Sequence, residues 1–181
     1  MIPTLVDDYC FNLIYQTIDR IIENNNNPRI VELGSFLGGS IERIYNYCVS
    51  KKIVPTLTAI DNWDCFNISY ESKVWSGVHN NFYEAFKKNT KDMVLFSLKM
   101  DTLEASKTYE DNSIDLLFVD DGHDYPHTKN ILEVWLPKVK QFGYIIGHDY
   151  SSNGVDKAVH EVFNGNVEFC KERTAYRFQK S

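Results

Sequence analysis

Two short segments concentrate groups able to do chemistry. One reads Asp120-Asp121-Gly122-His123-Asp124-Tyr125 and the other Gly147-His148-Asp149-Tyr150. Carboxylates and imidazoles gathered in this way can bind a divalent cation, move a proton, or both. A third segment, Glu32-Leu33-Gly34-Ser35-Phe36-Leu37-Gly38-Gly39-Ser40, has the makings of a tight bend. Glycine lets backbone come close to a ligand, and a helix start after the bend favours a negative group. A dinucleotide site wants G-x-G-x-x-G to seat a pyrophosphate. Here three residues separate Gly34 from the next glycine, so that pattern fails. Glu32 would also repel a pyrophosphate and suits a cationic group better. Asp61 is a carboxylate that can accept both hydroxyls of a ribose. Bend and acid together favour a positively charged nucleoside without phosphate, which describes S-adenosylmethionine. Read alone, Gly34, Gly38 and Gly39 fit an ordinary strand-to-helix turn equally well.

The elements that must position these groups follow from hydrophobic periodicity. Asp8 to Glu23 carries Phe11, Leu13, Ile14, Ile18, Ile21 and Ile22 at helical spacing. The polar run Asn24 to Asn27, followed by Pro28, makes a loop. Strands are expected at Arg29–Leu33, Thr56–Ile60, Met93–Leu98, Ile114–Val119 and Tyr144–Gly147. Helices are expected at Gly39–Ser50, His79–Asn89, Pro126–Lys140 and Val155–Phe163, with Pro137 favouring an early stop to the third of these. Val167–Cys170 and Thr174–Phe178 form a closing antiparallel pair. Asn62 to Gly77 has no clean period and reads as a long loop, a kind that is often functional.

Strands alternating with helices predict an α/β fold, a Rossmann-like doubly wound sheet, mostly parallel, with helices on both faces. Gly34, Asp61, Asp120 and His148 each fall just past a strand. In open α/β sheets the ligand crevice lies at those carboxyl ends. Four separate segments therefore aim their chemistry at one edge.

Length and composition exclude several classes. The chain has 181 residues, 43% hydrophobic, 14% aromatic and 24% charged, with a formal net charge of −6. That is one ordinary globular domain, and neither a disordered nor a collagen-like chain. The acidic balance disfavours a broad nucleic-acid surface. No run of about 18 apolar residues offers a membrane span. The start, MIPTLVDDYC, has acids where a signal peptide wants a basic end. Cys10, Cys48, Cys65 and Cys170 are scattered without a CxxC, as in reduced cytosolic proteins. The expected location is cytoplasmic.

Five segments in order, VELGSFLGGS, TAIDNWD, MDTLEAS, IDLLFVDDGHDY and FGYIIGHDY, resemble the class I SAM-dependent methyltransferases. The resemblance is closest to a small O-methyltransferase-like group with an E-x-G-x-x-x-G-x-S bend and a D-x-x-H-x-Y stretch after the fourth strand. It runs from about Arg29 to Phe163. It implies one domain over 1–181, with an N-terminal helix and loop over 1–27 and a lid or acceptor wall over 62–77. It implies that Glu32, Gly34, Ser35, Gly38 and Ser40 line the methionine end of the cofactor. Asp61 would hold the ribose, with Asn62 and Trp63 alongside. Asp101 and Thr102 would border the adenine, although Asp101 reads equally well as a helix N-cap. Asp120 would border cofactor and acceptor together.

The acceptor implied by the resemblance is a small molecule, sugar or glycan hydroxyl. His123 matches the histidine of the D-x-x-H stretch and is the first choice for general base, with His148 second and Asp120 supporting them. The resemblance further implies that some relatives bind magnesium through a carboxylate after the fourth strand and two acidic or amide groups after the fifth. Asp120 and Asp149 match two of those places, and His148 stands in the third. Magnesium prefers oxygen ligands and imidazole suits transition metals. Magnesium with waters, manganese or another transition metal, and no metal therefore all stay open. So short a chain also leaves room for a second subunit to supply part of the pocket.

Other side chains read as structural. Asp121 and Asp124 fit turns or caps. His127 and His160 fit the surface, His79 a helix start, and Trp135 the core. Trp63, Tyr70, Trp75, Phe82 and Tyr83 suit an acceptor wall or core packing. Three alternatives stand beside the methyltransferase. A nucleic-acid methyltransferase is disfavoured by charge and by the lack of an N/D-P-P-Y/F stretch. A non-catalytic nucleotide-binding module and an NAD-dependent oxidoreductase are the others.

Overall fold

A computed structural model of the chain describes residues 2–64, 81–152 and 154–181. The helices are α1 (Asp8–Ile22), α2 (Gly39–Ser50), α3 (Phe82–Asn89), α4 (Thr102–Ala105), α5 (Tyr125–Trp135) and α6 (Val155–Phe163). The strands are β1 (Arg29–Leu33), β2 (Thr56–Asp61), β3 (Phe96–Lys99), β4 (Ile114–Val119), β5 (Val139–Gly147), β6 (Glu168–Phe169) and β7 (Tyr176–Gln179). They form one sheet in the order β3-β2-β1-β4-β5-β7-β6. The first five strands run parallel, while β7 pairs antiparallel with β5 and β6 antiparallel with β7. The order reverses at β1 and β4, the switch point where such sheets open a ligand crevice.

The buried residues of the central strands divide between two cores, one on each face of the sheet. Ile30, Leu57, Leu116, Phe118 and Ile146 pack with Phe11, Ile14 and Ile18 of α1 and Ile41 and Ile44 of α2. Val31, Leu33, Leu117, Val119 and Ile145 pack with Ile131, Leu132 and Trp135 of α5 and Val159 of α6. Burial on both faces explains why β1 and β4 read as apolar runs instead of alternating. Glu32 breaks the run on the first face and is completely buried.

Local signals explain where elements begin and end. Asp7, Asn81, Asp101 and Asp124 each cap a helix through side-chain oxygens. Pro137 stops α5 early, as expected, and a single 3₁₀ turn, Leu136–Lys138, replaces its last residues. β5 then starts at Val139, well before Tyr144. Its pairing with β4 jumps from Ile114↔Val139 to Leu116↔Tyr144, so residues 140–143 bulge out of the ladder. Phe142 in that bulge has φ 63, which no hydrophobic pattern foretells. β3 is shorter than expected, because Met93 to Leu95 do not join the sheet. No described helix is long and apolar enough to cross a membrane. The expected lid falls outside the described residues from position 65 onward, as do Cys65, Tyr70, Trp75 and His79.

Candidate functional site

Sheet register builds the site. Leu33 pairs with Ile60 on one side and Val119 on the other, and Val119 pairs with Gly147. The next residues are Gly34, Asp61, Asp120 and His148, which therefore stand in one row. Backbone bonds carry the row one step past the strands: Gly34 N–H donates to Ile60 O (2.9 Å), Asp120 N–H to Leu33 O (2.9 Å) and His148 N–H to Val119 O (3.1 Å). A cavity of about 410 Å³ opens on this row. Gly34, Ser35, Ser40, Asp61 and Asn62 form one side, and Asp120 to His123, His148 and Asp149 form the other.

The glycine bend is compulsory at Gly34. Its φ is +82°, and a Cβ there would lie 2.1 Å from the carbonyl oxygen of Asp120. Gly38 also has positive φ, but its missing Cβ faces Thr90 and Phe86. It shapes the start of α2 and stays out of the cavity. Below the bend, Glu32 Oε2 accepts a 2.6 Å hydrogen bond from Ser35 Oγ. Glu32 Oε1 is buried without a partner. Burial pushes this carboxyl up to about 8, against opposing hydrogen bonds from Ser35 and Ser40. A cation entering from the cavity side would relieve that strain.

Asp61 closes the first half. Its Oδ2 accepts from Phe36 N–H at 2.9 Å and its Oδ1 from Trp63 N–H at 2.6 Å. Each oxygen keeps a further lone pair toward the cavity. Burial raises the Asp61 carboxyl above its ordinary value, and the two backbone bonds oppose that rise. Trp63 itself is core: it packs on Tyr83 and Phe86, and its Nε1 donates to Phe36 O. It supports the wall from behind. Asp101 is the N-cap of α4, accepting from Leu103 and Glu104 N–H, and does not line the cavity. Thr102 donates instead to Asp121 Oδ2.

Asp121 is therefore more than a turn residue. His127 Nε2 lies 3.1 Å from the same oxygen, and Gly122 N–H donates to Oδ1. Sequence reasoning missed this trio because it joins α4, the β4–α5 loop and α5. Burial works against the Asp121 carboxylate, but its bonds to His127 and Thr102 hold it below its ordinary range. His127, expected on the surface, is half-buried and serves this carboxylate.

On the acceptor side, Asp149 Oδ2 is shared. His123 Nε2 lies 3.1 Å from it and His148 Nδ1 3.0 Å. Asp120 Oδ1 lies 3.9 Å from His123 Nε2 and 3.5 Å from His148 Nδ1. Burial disfavours the Asp120 carboxylate, yet the nearby imidazoles of His123 and His148 keep it low. The nearby Asp120 carboxylate, with Asp149, raises His123 above an ordinary histidine despite partial burial. Burial lowers His148, but Asp120 and Asp149 outweigh it and push the imidazole up to about 11. Among the described residues, Asp120, His123 and Asp149 bring one ligand atom each within 4.8 Å of one another. His148, expected as a third ligand, turns Nδ1 toward the same two carboxylates, and its second nitrogen, Nε2, faces Asp7 Oδ2 at 3.1 Å.

The N-terminal segment is the other feature that sequence reasoning missed. Pro3, Thr4 and Leu5 line the same cavity. The Pro3 carbonyl oxygen sits 2.2 Å from where a Cβ on Gly39 would be. Ile2 N–H donates to Glu42 Oε2 at 2.6 Å. Gly39 thus admits a strap across the start of α2.

This fold, with a bend, an acid and a histidine–aspartate rim around one cavity, defines a class I S-adenosylmethionine-dependent methyltransferase domain. The chain belongs to the family described as "Methyltransferase domain", which matches it over residues 31–150. It is 30% identical over 125 residues to the protein y4gI of Sinorhizobium fredii, a stretch covering 67% of this chain and 13% of that one. The chain thus spans a small part of that curated relative. It shares the fold of the O-methyltransferase NovP (TM-score 0.75, 20% identity, covering 98% of this chain and 82% of that one). It also shares the fold of CalS11, a TDP-rhamnose 3'-O-methyltransferase (TM-score 0.64, 13% identity, 92% and 77%).

Proposed function

We propose that the chain transfers the methyl group of S-adenosylmethionine to a hydroxyl oxygen of a small molecule or sugar. The observation that carries this reading is the unpartnered oxygen of buried Glu32, whose other oxygen holds Ser35 of the wall of a cavity that Asp61 and the His–Asp rim also line. An ammonium of the methionine end answers Glu32, and the ribose hydroxyls answer the free lone pairs of Asp61. Asp121 and Asn62 border the base. Asp120, His123 and Asp149 line the part of the cavity where the methyl acceptor would be held. The named activities of NovP and CalS11 are in keeping with an oxygen acceptor.

Methyl transfer is an in-line displacement. Holding donor and acceptor in line supplies roughly 7–11 kcal/mol of the barrier reduction. His123, half-exposed and 3.1 Å from Asp149, takes the acceptor proton in its neutral form, and Asp149 steadies the imidazolium that results. Were His123 a ligand instead of the base, Asp120, Asp149 and His123 would hold a divalent cation. Two carboxylates with one imidazole suit manganese better than magnesium. When bound, such an ion would make the acceptor hydroxyl more acidic. The buried free thiols Cys10, Cys48 and Cys170 suit a reducing cytoplasm.

Calorimetry with S-adenosylhomocysteine and NADH side by side tests the donor half, and isotope-labelled S-adenosylmethionine with a panel of hydroxyl acceptors tests the other. Binding of S-adenosylhomocysteine with labelled product supports the reading. Tight NADH binding in its place refutes it.

A further inference from the structure

Asp7 uses its two oxygens for different purposes. Oδ1 accepts from the N–H groups of Tyr9 (2.7 Å) and Cys10 (3.1 Å), which caps α1. Oδ2 reaches His148 Nε2 at 3.1 Å, a partner 141 positions away. At the other edge of the ring, Nδ1 faces Asp149 Oδ2 at 3.0 Å and Asp120 Oδ1 at 3.5 Å. The ring is thus gripped from both edges, with its side chain 9% exposed. Beside the ring, Tyr150 N–H, next to Asp149, donates to Thr174 O.

The ring lies beside a tight turn. Asp149 has φ 52, a left-handed conformation that aspartate adopts more readily than most residues with a Cβ but that still costs energy against the usual regions. This turn presents Asp149 to the cavity, and Ser152 N–H closes it on Asp149 O at 2.8 Å. The ring sits directly between the turn and the start of α1, and Pro3 to Leu5 lead from the cavity wall into Asp7.

We propose that Asp7 is a positioning residue: acting through His148, it holds the Asp149 turn and so sets where Asp149 and Asp120 stand at the cavity. This rests on the reading of the His–Asp rim as the acceptor half. It makes the segment before α1 part of the acceptor machinery, although Asp7 itself touches no reacting atom.

Asp7→Ser and Asp7→Asn separate positioning from capping. Serine and asparagine cap helices about as well as aspartate. Serine is too short to reach His148, and an asparagine that caps with its oxygen turns its amide toward the ring. In the full chain, amide exchange of Tyr150 and Ser152 should quicken by about tenfold in both variants, while amides in the first turn of α1 stay protected. Turnover with a hydroxyl acceptor should drop by up to about 10²-fold at little-changed KM, the scale of a displaced group. S-adenosylhomocysteine affinity should hold. Unchanged exchange at Tyr150 and Ser152 overturns the proposal, and so does parallel loosening of α1, which would make Asp7 a cap alone. A parent protein that binds no S-adenosylhomocysteine refutes the cofactor reading instead, and the exchange comparison still decides the role of Asp7.

Discussion

Replacing Gly34 with alanine tests the bend on which the cofactor half rests. Two costs can be separated. The first is conformational: at φ +82°, an alanine costs about 1–2 kcal/mol relative to glycine. The second is steric. The new methyl would lie 2.1 Å from Asp120 O and 2.7 Å from Asp120 C, so β1 and β4 must part by more than an ångström at their ends. Overpacking of that kind adds about 1–3 kcal/mol. The sum is about 2–5 kcal/mol, below the roughly 5–15 kcal/mol of an ordinary domain, so the variant should fold. Gly165 supplies the control. It has φ +73°, and its nearest neighbour is a side-chain atom, His160 Nε2, at 3.6 Å. Gly165→Ala should cost only the conformational part, about 1–2 kcal/mol. Urea denaturation of the three proteins gives the stabilities, and calorimetry gives their affinities for S-adenosylhomocysteine. Because the displaced Asp120 backbone borders the cavity, Gly34→Ala should lose affinity while Gly165→Ala keeps it. Equal stabilities for the two variants, or an unchanged affinity in Gly34→Ala, would refute the contact between the bend and the β4 end.

Asp61→Asn should weaken S-adenosylhomocysteine binding by about 10- to 100-fold, the worth of one or two hydrogen bonds to a charged acceptor, and calorimetry showing less than a twofold change would remove Asp61 from the ribose site. A general base must be unprotonated, and His123 is held above its ordinary value by the nearby Asp120 and Asp149 carboxylates. Turnover should therefore rise with pH through that elevated value, and His123→Asn should abolish the rising limb; a limb that survives assigns the base elsewhere. Chelation by EDTA should suppress turnover and manganese should restore it, whereas full activity in EDTA takes the cation out of the mechanism.

Legibility in the sequence followed the range of the interaction. Gly34, Asp61, Asp120 and His148 could be aligned before any coordinates, because a buried parallel strand reads as an apolar run and its chemistry begins where the run ends. Asp124 as a cap and Pro137 as a stop were legible for a similar reason, since both act within a turn of themselves. Glu32 was legible as an acid beside the bend. Its hydrogen bond to Ser35 closes over three positions of chain. What escaped were bonds closed by tertiary packing. Asp121 meets Thr102 and His127 only once α4 and α5 lie side by side, and neither partner's spacing marks it. The bulge at residues 140–143 escaped because both strand and helix patterns are silent there.

Asp7 shows the limit most plainly. It stands just before an apolar-periodic stretch, and the structure makes it the N-cap of α1. A cap needs only one carboxylate oxygen, however, and the second is left over. Nothing local says where that oxygen goes; the sheet decides, by carrying His148 to the same end at which α1 begins. An aspartate or asparagine before a helix that packs beside a strand end is therefore worth inspecting for a second partner, whereas serine in the same place leaves no spare acceptor arm. The physical distinction is reach, and it explains how one short side chain can close a helix and also brace a site across 141 positions of chain.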